Sequence, residues 1–381
     1  MSSVHRPVVA EINLAAIRAN IRSIRKMVGP SRKIMPVVKS DAYGLGAVPV
    51  ARAIEPEVDA LGVAFIYEGV VLRKAGIRCP ILVMGGGSEI CLEPAMENDL
   101  TLAVGGLHEA AAISRSAQEE GVMAKIHVEI DTGMGRLGLP WQDAVGEILL
   151  MKELPNMEVE GVFTHLATAD IKQDAYTLLQ MERFQQFLAE LDGEGVHILI
   201  KHMANSAALL QYPQTWYDLV RPGLMIYGIY PASHLKDHIR LQFPLTLKTR
   251  IMQIRHMMEG DSISYGRTYT CQEQKRIAAV AVGYADGFGR VLSNRAGVLV
   301  KGCEARVVGT ICMDISMIDI THIAGVEVQD EVILLGGEEG GLMVEKLAEQ
   351  LGTISYEVLC SFGRRAERVY FDHDESERGE I

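Results

Sequence analysis

A lysine follows directly on an apolar run near the N-terminus, in the segment PVVKSDAYGLG, where Lys39 comes after Val38. If the run is the first strand of a parallel β/α barrel, Lys39 lies at its carboxyl end, where such barrels place their active sites. A lysine there is desolvated, which lowers its pKa and makes it a nucleophile able to form a Schiff base. Most lysines are surface cations, so the hypothesis depends on this position.

Two later segments carry groups suited to binding an anion. Asn205 and Ser206 precede the helical run Ala-Ala-Leu-Leu, and Gly223 and Leu224 follow another apolar run. The loops after strands seven and eight of a barrel commonly bind phosphate through backbone N–H groups and helix N-termini. In isolation Ser206 is better explained as a helix N-cap. Together with Lys39 and Gly223 it predicts a phosphate site.

The elements that would position these residues follow from the hydrophobic pattern. The first 240 residues or so alternate short apolar runs with amphipathic segments, which is typical of parallel βα units. The eight candidate strands are Met35–Val38, Leu61–Phe65, Ile81–Met84, Leu100–Val104, Ile126–Asp131, Val159–Thr164, Ile198–His202 and Leu219–Tyr227.

Helical patterns lie between these strands. One follows Asn13, a predicted N-cap, and another runs from Asp174 to about Leu191. We therefore predict an α/β fold whose residues 12–242 form an N-terminal (β/α)8 barrel. A doubly wound open sheet is the alternative.

The sequence pattern changes after about Pro244, where short strand patterns joined by Gly- and Asp-containing turns replace the alternating strands and helices. Residues 243–381 are predicted to form a mainly β C-terminal domain, joined by a strand from residues 1–11. Only Val344–Gln350 has a clear helical pattern. The acidic tail DHDESERGE is expected to be solvated.

Bulk properties exclude several classes of function. A chain of 381 residues with net charge −12 and no basic run argues against nucleic acid or an anionic membrane as a partner. Six cysteines without a C-x-x-C pair indicate neither a disulfide framework nor a metal site, and no stretch is long and apolar enough to span a membrane. We expect a cytoplasmic protein.

The segment around Lys39 resembles the lysine motif of the alanine racemase family, the barrel-type enzymes that use pyridoxal 5'-phosphate (PLP). Single motifs of this kind are weakly specific, but nine in order are highly specific. The other eight are DTGMGRLG, THLATAD, HMANSAA, VRPGLMIYG, SYGRTY, VGYADGFGR, GTICMDISMIDI and SYEVLC.

The resemblance implies interconversion of L-alanine and D-alanine by two bases that flank the substrate Cα. Lys39 would be one base, and Tyr265, supplied by the partner subunit of a homodimer, the other. Lowering a tyrosine pKa from about 10 to 7 requires about 4 kcal/mol. The family's counterpart of His165, which contacts both this tyrosine and the arginine at the pyridine nitrogen, is a source of that stabilisation.

The resemblance also assigns the PLP contacts. Arg221 would face the pyridine nitrogen, and because a guanidinium keeps its proton, the ring stays unprotonated and the carbanion is short-lived. Tyr43 and Tyr356 would join Asn205, Ser206, Gly223 and Leu224 around the phosphate.

A further group of residues would surround the substrate. Arg136 orients the phenolic oxygen of the cofactor and the substrate carboxylate. Met313 and Asp314, from the partner subunit, would line the substrate end. Tyr284 and Arg290 would shape a narrow entrance that favours a small side chain.

The sequence departs from the family pattern at two places. Many relatives carry a CO2-modified lysine, which holds the arginine matching Arg136, at the position of Glu129. We predict that the Glu129 carboxylate replaces that carbamate with a permanent charge. Near the C-terminus, SFGRRAERVYF replaces the commoner R-V-P-R ending.

Four other functions remain as alternatives. An amino-acid decarboxylase of the same class typically has a glutamate where Arg221 stands. Serine racemisation is opposed by the bulk of Tyr356 but not excluded. A non-catalytic PLP carrier would generally lack the β domain, and a PLP-free binding module would lack the absorbance of lysine-bound PLP. The sequence does not distinguish a biosynthetic from a catabolic role.

Overall fold

The computed structural model describes residues 7–85, 92–337 and 342–372. By their contacts, Ala16–Ala42 and Gly46–Gln242 form one compact unit, and Met1–Ala15, Tyr43–Leu45 and Phe243–Ile381 form the other. We call them the barrel unit and the β unit. The acidic tail beyond residue 372 lies outside the described residues.

Eight parallel strands form the wall of the barrel unit. A bridge between Val37 and Gly62 joins the first strand to the second, so that the ring closes and the predicted barrel is confirmed. The strands are Lys33–Ile34, Leu61–Val63, Ile81–Val83, Thr101–Val104, Ala124–Asp131, Met157–Phe163, Ile200–His202 and Leu219–Val220. A short strand, Leu139–Pro140, pairs beside the fifth.

Helices and short 3-10 turns connect these strands. The helix after Asn13 buries one stripe that includes Ile17, Ile21 and Ile24, and Asp174 caps a later helix by accepting a hydrogen bond from the Thr177 amide. The helices are Leu14–Val28, Ala47–Ile54, Ile66–Lys74, Glu93–Glu97, Leu107–Glu120, Ala144–Lys152, Ala175–Gly193 and Ser206–Gln211.

Two predicted strands differ from the structure. The first ladder lies at Lys33–Ile34, and Pro36, which has no N–H to donate, limits the rest of that strand to the single bridge at Val37. The strand predicted over Leu219–Tyr227 is wrong beyond Val220, because Leu224–Tyr227 is a 3-10 turn. All four residues of that turn are buried, so their apolar character reflects burial and not a strand.

The β unit is built on an eight-stranded sheet. Strand Val9–Asn13 pairs antiparallel with Leu245–Met257 and parallel with Glu367–Phe371. The other strands of this sheet are Lys275–Val280, Gly297–Val300, Cys303–Val307, Ser316–Asp319 and Glu331–Leu335, and a separate pair is formed by Ser262–Ile263 and Tyr269–Thr270.

Two helices, Val344–Leu351 and Ser355–Ser361, complete the β unit. The second was missed by the sequence analysis, because only Val358 and Leu359 of its seven residues are buried and so short a segment shows no helical period. In the described part of the chain, no helix combines the length and apolarity that crossing a membrane requires.

Candidate active site

The sequence-predicted residues divide between the two units. The barrel unit contains Glu129, within a strand, and a set of residues that follow strand ends, namely Lys39, Arg136, His165, Asn205, Ser206, Arg221, Gly223 and Leu224. Those of the β unit are Tyr43, Tyr265, Tyr284, Arg290, Met313, Asp314 and Tyr356.

Directly after Lys39 the backbone makes a left-handed turn. The φ angles of Ser40, Asp41, Ala42 and Tyr43 are 53°, 55°, 54° and 55°. Each non-glycine residue in this region costs about 1–2 kcal/mol, and such strain is concentrated at functional sites.

Hydrogen bonds hold this turn in place. The Ser40 amide donates to Oε1 of Glu68 at 2.6 Å, and Oδ1 of Asp41 accepts from the Ala47 amide at 2.7 Å. The turn gives the residues after Lys39 one fixed path.

Arg221 lies at the end of the eighth strand and is 3% exposed. Its Nη1 is 2.7 Å from Nδ1 of His202, and its Nη2 donates to the carbonyl oxygens of Thr164 at 2.8 Å and Met203 at 3.0 Å. No described residue accepts a hydrogen bond from Nε–H. Burial lowers the pKa of this guanidinium to about 10, while Glu129 acts in the opposite direction.

His165 follows the sixth strand, and its Nδ1 is 3.5 Å from Nη2 of Arg221. Burial, followed by the charges of Arg221, Arg136 and Lys39, lowers the pKa of His165 to about 3. The imidazole is therefore neutral at neutral pH. Since Nη2 is a donor, Nδ1 accepts, and the proton of the ring is on Nε2.

The two segments predicted to hold phosphate are in direct contact. Oγ of Ser206 accepts hydrogen bonds from the amides of Gly223 at 2.8 Å and Met225 at 3.4 Å, which leaves its own O–H to donate. Oδ1 of Asn205 caps the following helix by accepting from the amides of Ala207 and Ala208. The N-cap in the structure is therefore Asn205 and not Ser206.

Glu129 lies in the fifth strand and is 4% exposed. Beside it is a cavity of about 240 Å³ whose wall also includes Glu109, Leu137 and Gly138. Burial raises the pKa of Glu129, and the charges of Arg136 and Arg221 oppose this effect. Within the described chain no ion pair joins Glu129 to Arg136, so the two side chains interact only at longer range.

Tyr265 begins a short 3-10 turn of the β unit and is 70% exposed. Two hydrogen bonds with Thr310 hold the backbone of this turn. Oγ1 of Thr310 donates to the carbonyl oxygen of Tyr265 at 2.8 Å, and the Ser264 hydroxyl donates to the Thr310 carbonyl oxygen. An aromatic side chain this exposed on a fixed backbone is suited to contact another molecule.

Two segments assigned to the substrate end are joined within the β unit. The amides of Tyr284 and Ala285 donate to the carbonyl oxygens of Cys312 and Met313 at 3.0 and 3.1 Å. The guanidinium of Arg365 then bridges Oδ1 of Asp286 at 2.9 Å and Oδ1 of Asp314 at 2.7 Å. Sequence reasoning missed Arg365, which it treated only as part of a departure from the family ending.

Tyr43 and Tyr356 are also neighbours in the β unit, with ring centroids 5.7 Å apart. Tyr43 is 5% exposed, and burial, then the proximity of Tyr356, raises its pKa well above the usual range. Its hydroxyl therefore stays protonated and able to donate. Among the described residues, no group of three or more His, Cys, Asp or Glu side chains is arranged to hold a metal.

Comparison with known proteins gives one consistent result. Residues 12–231 match the model "Alanine racemase, N-terminal domain", and residues 244–370 match "Alanine racemase, C-terminal domain". The chain is 48% identical to the alanine racemase of Desulforamulus reducens over 367 residues, which cover 96% of this chain and 99% of that protein.

Solved structures agree with this result. The alanine racemase of Clostridium difficile 630 superposes with a TM-score of 0.94 at 41% identity, covering 98% of both chains. The alanine racemase of Bartonella henselae, solved with covalently bound pyridoxal phosphate, has a TM-score of 0.86 at 27% identity, over 96% of this chain and 100% of that chain. On these matches the chain belongs to the alanine racemase family.

Proposed function

We propose that the protein is a PLP-dependent alanine racemase that works as a cytoplasmic homodimer with shared active sites. The observation that carries the proposal is the setting of Arg221, whose guanidinium is buried, fixed through both Nη atoms and left with Nε–H to donate. The similarity to the alanine racemase of Bartonella henselae with covalently bound pyridoxal phosphate supports the choice of cofactor.

The residues of the barrel unit fit this cofactor. A pyridine nitrogen is an acceptor that matches the remaining Nε–H of Arg221. Ser206 Oγ–H can donate to a phosphate, and Leu224 is the first residue of its turn, so its amide has no partner within that turn. Asn205, Gly223, Tyr43 and Tyr356 would complete the phosphate contacts.

Lys39 would hold PLP until the substrate amine takes its place, and PLP would then supply an electron sink that lowers the barrier to removal of the proton from the substrate Cα. Lys39 then moves a proton at one face of this carbon, and Tyr265 of the second subunit moves a proton at the other face. Arg221 keeps its own proton throughout, because its pKa of about 10 is far above that of a pyridine.

His165 is proposed to assist Tyr265. Its Nδ1 faces Arg221, so Nε2–H is the atom that can donate to a phenolate oxygen. A donor of this kind stabilises the charged form of the tyrosine without carrying a positive charge itself.

The substrate contacts follow from charge and size. Arg136 would bind the alanine carboxylate, with the buried carboxylate of Glu129 as a counter-charge at longer range. Met313, Asp314, Tyr284 and Arg290 would line a narrow approach from the β unit, which favours alanine over serine. An amino-acid decarboxylase is disfavoured because Arg221 stands where that class uses a glutamate.

The test is complementation between two inactive variants. Lys39→Ala and Tyr265→Phe chains carrying different tags are co-expressed, and the mixed dimers are purified through both tags. One of the two sites in each mixed dimer retains both bases, so alanine racemisation should return to about half the wild-type value per dimer. Each variant alone should be inactive, and Lys39→Ala should lack the visible absorbance of lysine-bound PLP.

A mixture of Lys39→Ala with Lys39→Gln chains is the matched control, because neither site in that dimer regains a lysine. Mixed Lys39→Ala and Tyr265→Phe dimers without activity would contradict the shared site. Turnover of L-serine faster than L-alanine would contradict the choice of substrate.

A further inference from the structure

A line of hydrogen-bonded polar side chains runs inside the barrel unit from the buried Arg221 to the partly buried Glu160. Nη1 of Arg221 is 2.7 Å from Nδ1 of His202, and Nε2 of His202 is 2.8 Å from Nδ1 of His127. Nε2 of His127 is in turn 3.2 Å from Oε2 of Glu160. Both histidines are buried, at 0% and 3% exposure. We call these four residues the barrel relay.

The chemistry of its two ends fixes the direction of every hydrogen bond in the relay. A guanidinium only donates, so Nδ1 of His202 accepts and the proton of that ring is on Nε2. Nε2–H of His202 then donates to Nδ1 of His127, which places the proton of His127 on its Nε2. Nε2–H of His127 finally donates to a carboxylate, which only accepts. One tautomer of each histidine satisfies all three contacts.

A protonated histidine does not fit this arrangement. If His127 carried protons on both nitrogens, its Nδ1–H would donate to Nε2 of His202 and push the His202 proton to Nδ1. That proton would then face the N–H of Arg221 at an N–N distance of 2.7 Å. Burial and the charge of Arg221 lower the pKa of both histidines, which agrees with two neutral rings.

The groups around the relay keep Glu160 ionised. Lys125 lies 2.9 Å from Oε1 of Glu160, and hydrogen bonds from His127 and Lys125 hold the pKa of this carboxyl at about 2. A cavity of about 60 Å³, lined in part by Lys33, Asp59 and Thr101, adjoins His127 and Glu160. The relay thus ends on a charged carboxylate near the opposite end of the strands from Arg221.

Two features of the backbone bring these side chains together. The ladder between the fifth and sixth strands pairs Ile126 with Val159 and then His127 with Gly161, so Glu160 is the extra residue of a β-bulge. A Cβ on Gly161 would lie 2.6 Å from the His127 ring, so only glycine leaves room for this imidazole. The His202 ring stacks on Phe163 with centroids 4.7 Å apart, which fixes its plane.

We propose that Glu160 is a positioning residue for Arg221, acting through the tautomers of His127 and His202. By accepting from His127, the Glu160 carboxylate keeps Nδ1 of His202 bare, and this bare nitrogen holds Nη1 of Arg221. The proposal rests on the proposed function only for what Arg221 contacts. The relay itself is a property of the folded chain.

Glu160→Gln is the informative variant because it keeps the shape and removes the constraint. A glutamine amide can accept from His127 through Oε1 or donate to it through Nε2. In the second arrangement every proton in the relay reverses and His202 presents Nδ1–H to Arg221, so Nη1 of Arg221, which can only donate, must turn away from His202. The variant should therefore hold two tautomer populations where the wild-type protein holds one.

The experiment is ¹⁵N NMR of the histidine ring nitrogens, which distinguishes a protonated nitrogen from a bare one, on the protein as isolated. We expect bare Nδ1 and protonated Nε2 for His127 and His202 in the wild-type protein, and added Nδ1–H signals in Glu160→Gln. Glu158→Gln, an exposed position on the same strand, is the matched control and should match wild type. Nδ1–H on either ring of the wild-type protein, or unchanged tautomers in Glu160→Gln, would overturn the proposal.

A kinetic readout separates positioning from general stability. Glu160→Gln should lower kcat/KM for alanine about tenfold, the effect expected of one weakened buried hydrogen bond to a charged group. Glu160→Asp, which can only accept while ionised, should restore the wild-type tautomers and part of the activity. Equal losses in both variants would contradict the proposal. If the protein did not racemise alanine at all, the NMR result would be unaffected, so the two proposals fail separately.

Discussion

Nη1 of Arg221 lies 2.7 Å from Nδ1 of His202, and both side chains are buried. A buried guanidinium without its acceptor loses about 1.5–3 kcal/mol. His202→Phe keeps an aromatic ring at this position but removes the nitrogen that accepts from Arg221. We therefore expect the free energy of unfolding to fall by about 2 kcal/mol in urea titrations. The side chain of His197 is 87% exposed, so His197→Phe should change the free energy of unfolding by less than about 0.5 kcal/mol.

Stability should depend on pH through His127, His165 and His202. Burial lowers the pKa of His127 and His202, and burial with nearby cations lowers that of His165 to about 3. Below about pH 6.5 the unfolded chain takes up more protons at these sites than the folded chain, so stability is lost as the pH falls.

The expected loss between pH 7.5 and 5.5 is about 1.4 kcal/mol for His165, and His127 and His202 add to it in the same direction. Urea midpoints measured across this range test the expectation, and His202→Phe should make the midpoint depend less steeply on pH. A wild-type midpoint that stays level from pH 7.5 to 5.5 would show that these histidines titrate normally.

Gly44 should tolerate no side chain. Its φ is +89°, and a Cβ would lie 2.8 Å from the carbonyl oxygen of Leu359. Gly76 has φ of +92° with no atom within 4 Å of an added Cβ. Alanine at either position should lower the free energy of unfolding by about 1–2 kcal/mol through the strained backbone alone. At Gly44 the contact with Leu359 should lower it by roughly 1–3 kcal/mol more. Thermal unfolding of the two variants checks the difference, and equal losses would contradict the contact.

Glu129→Gln tests the role proposed for the buried carboxylate. Removing the charge should weaken the hold of Arg136 on the substrate and raise KM for alanine about tenfold, equivalent to about 1.4 kcal/mol. Wild-type activity should not change when CO2 is removed from the buffer. Glu119→Gln, at an exposed position of the same unit, is the control. If Glu129→Gln left KM and kcat for alanine unchanged, the role proposed for Glu129 would be contradicted.

Arg365 should support substrate binding by joining Asp286 to Asp314. We expect Arg365→Gln to raise KM for alanine several-fold with a smaller change in kcat. Without the guanidinium that binds Asp314, the segment with Met313 and Asp314 is no longer held in one position. Arg364→Gln, at the exposed neighbouring position, should behave as wild type. The same kinetic change in both variants would indicate a general effect of lost charge.

The barrel and the main barrel-unit positions were predictable because they depend on local patterns. Apolar runs mark the strands, and Lys39 comes directly after one of them, whereas Arg221 fell inside the predicted strand Leu219–Tyr227 and was assigned only through the family resemblance. The left-handed turn at Ser40–Tyr43 was not predictable, since Ser, Ala and Tyr seldom adopt positive φ. In the structure Glu68 accepts from the Ser40 amide, and Asp41 accepts from the Ala47 amide after the turn.

Contacts between distant segments were the other part that the sequence did not indicate. Glu160 reaches His127 through a bulge, and Arg365 meets Asp286 across 79 positions of sequence. His202 is part of the motif HMANSAA, but the sequence does not show that its ring contacts Arg221 and His127, which belong to other segments of the barrel. A single sequence carries no signal for such pairings.

The pairing of Val9–Asn13 with Leu245–Met257 and Glu367–Phe371 has a consequence for synthesis on the ribosome. Strand Val9–Asn13 is made first, yet both of its neighbours emerge only after the whole barrel unit. Until then its edges have no ladder, so the barrel unit has time to fold before the β sheet closes. A fragment that begins at residue 243 would lack this strand and expose two unpaired edges, which makes it prone to aggregate.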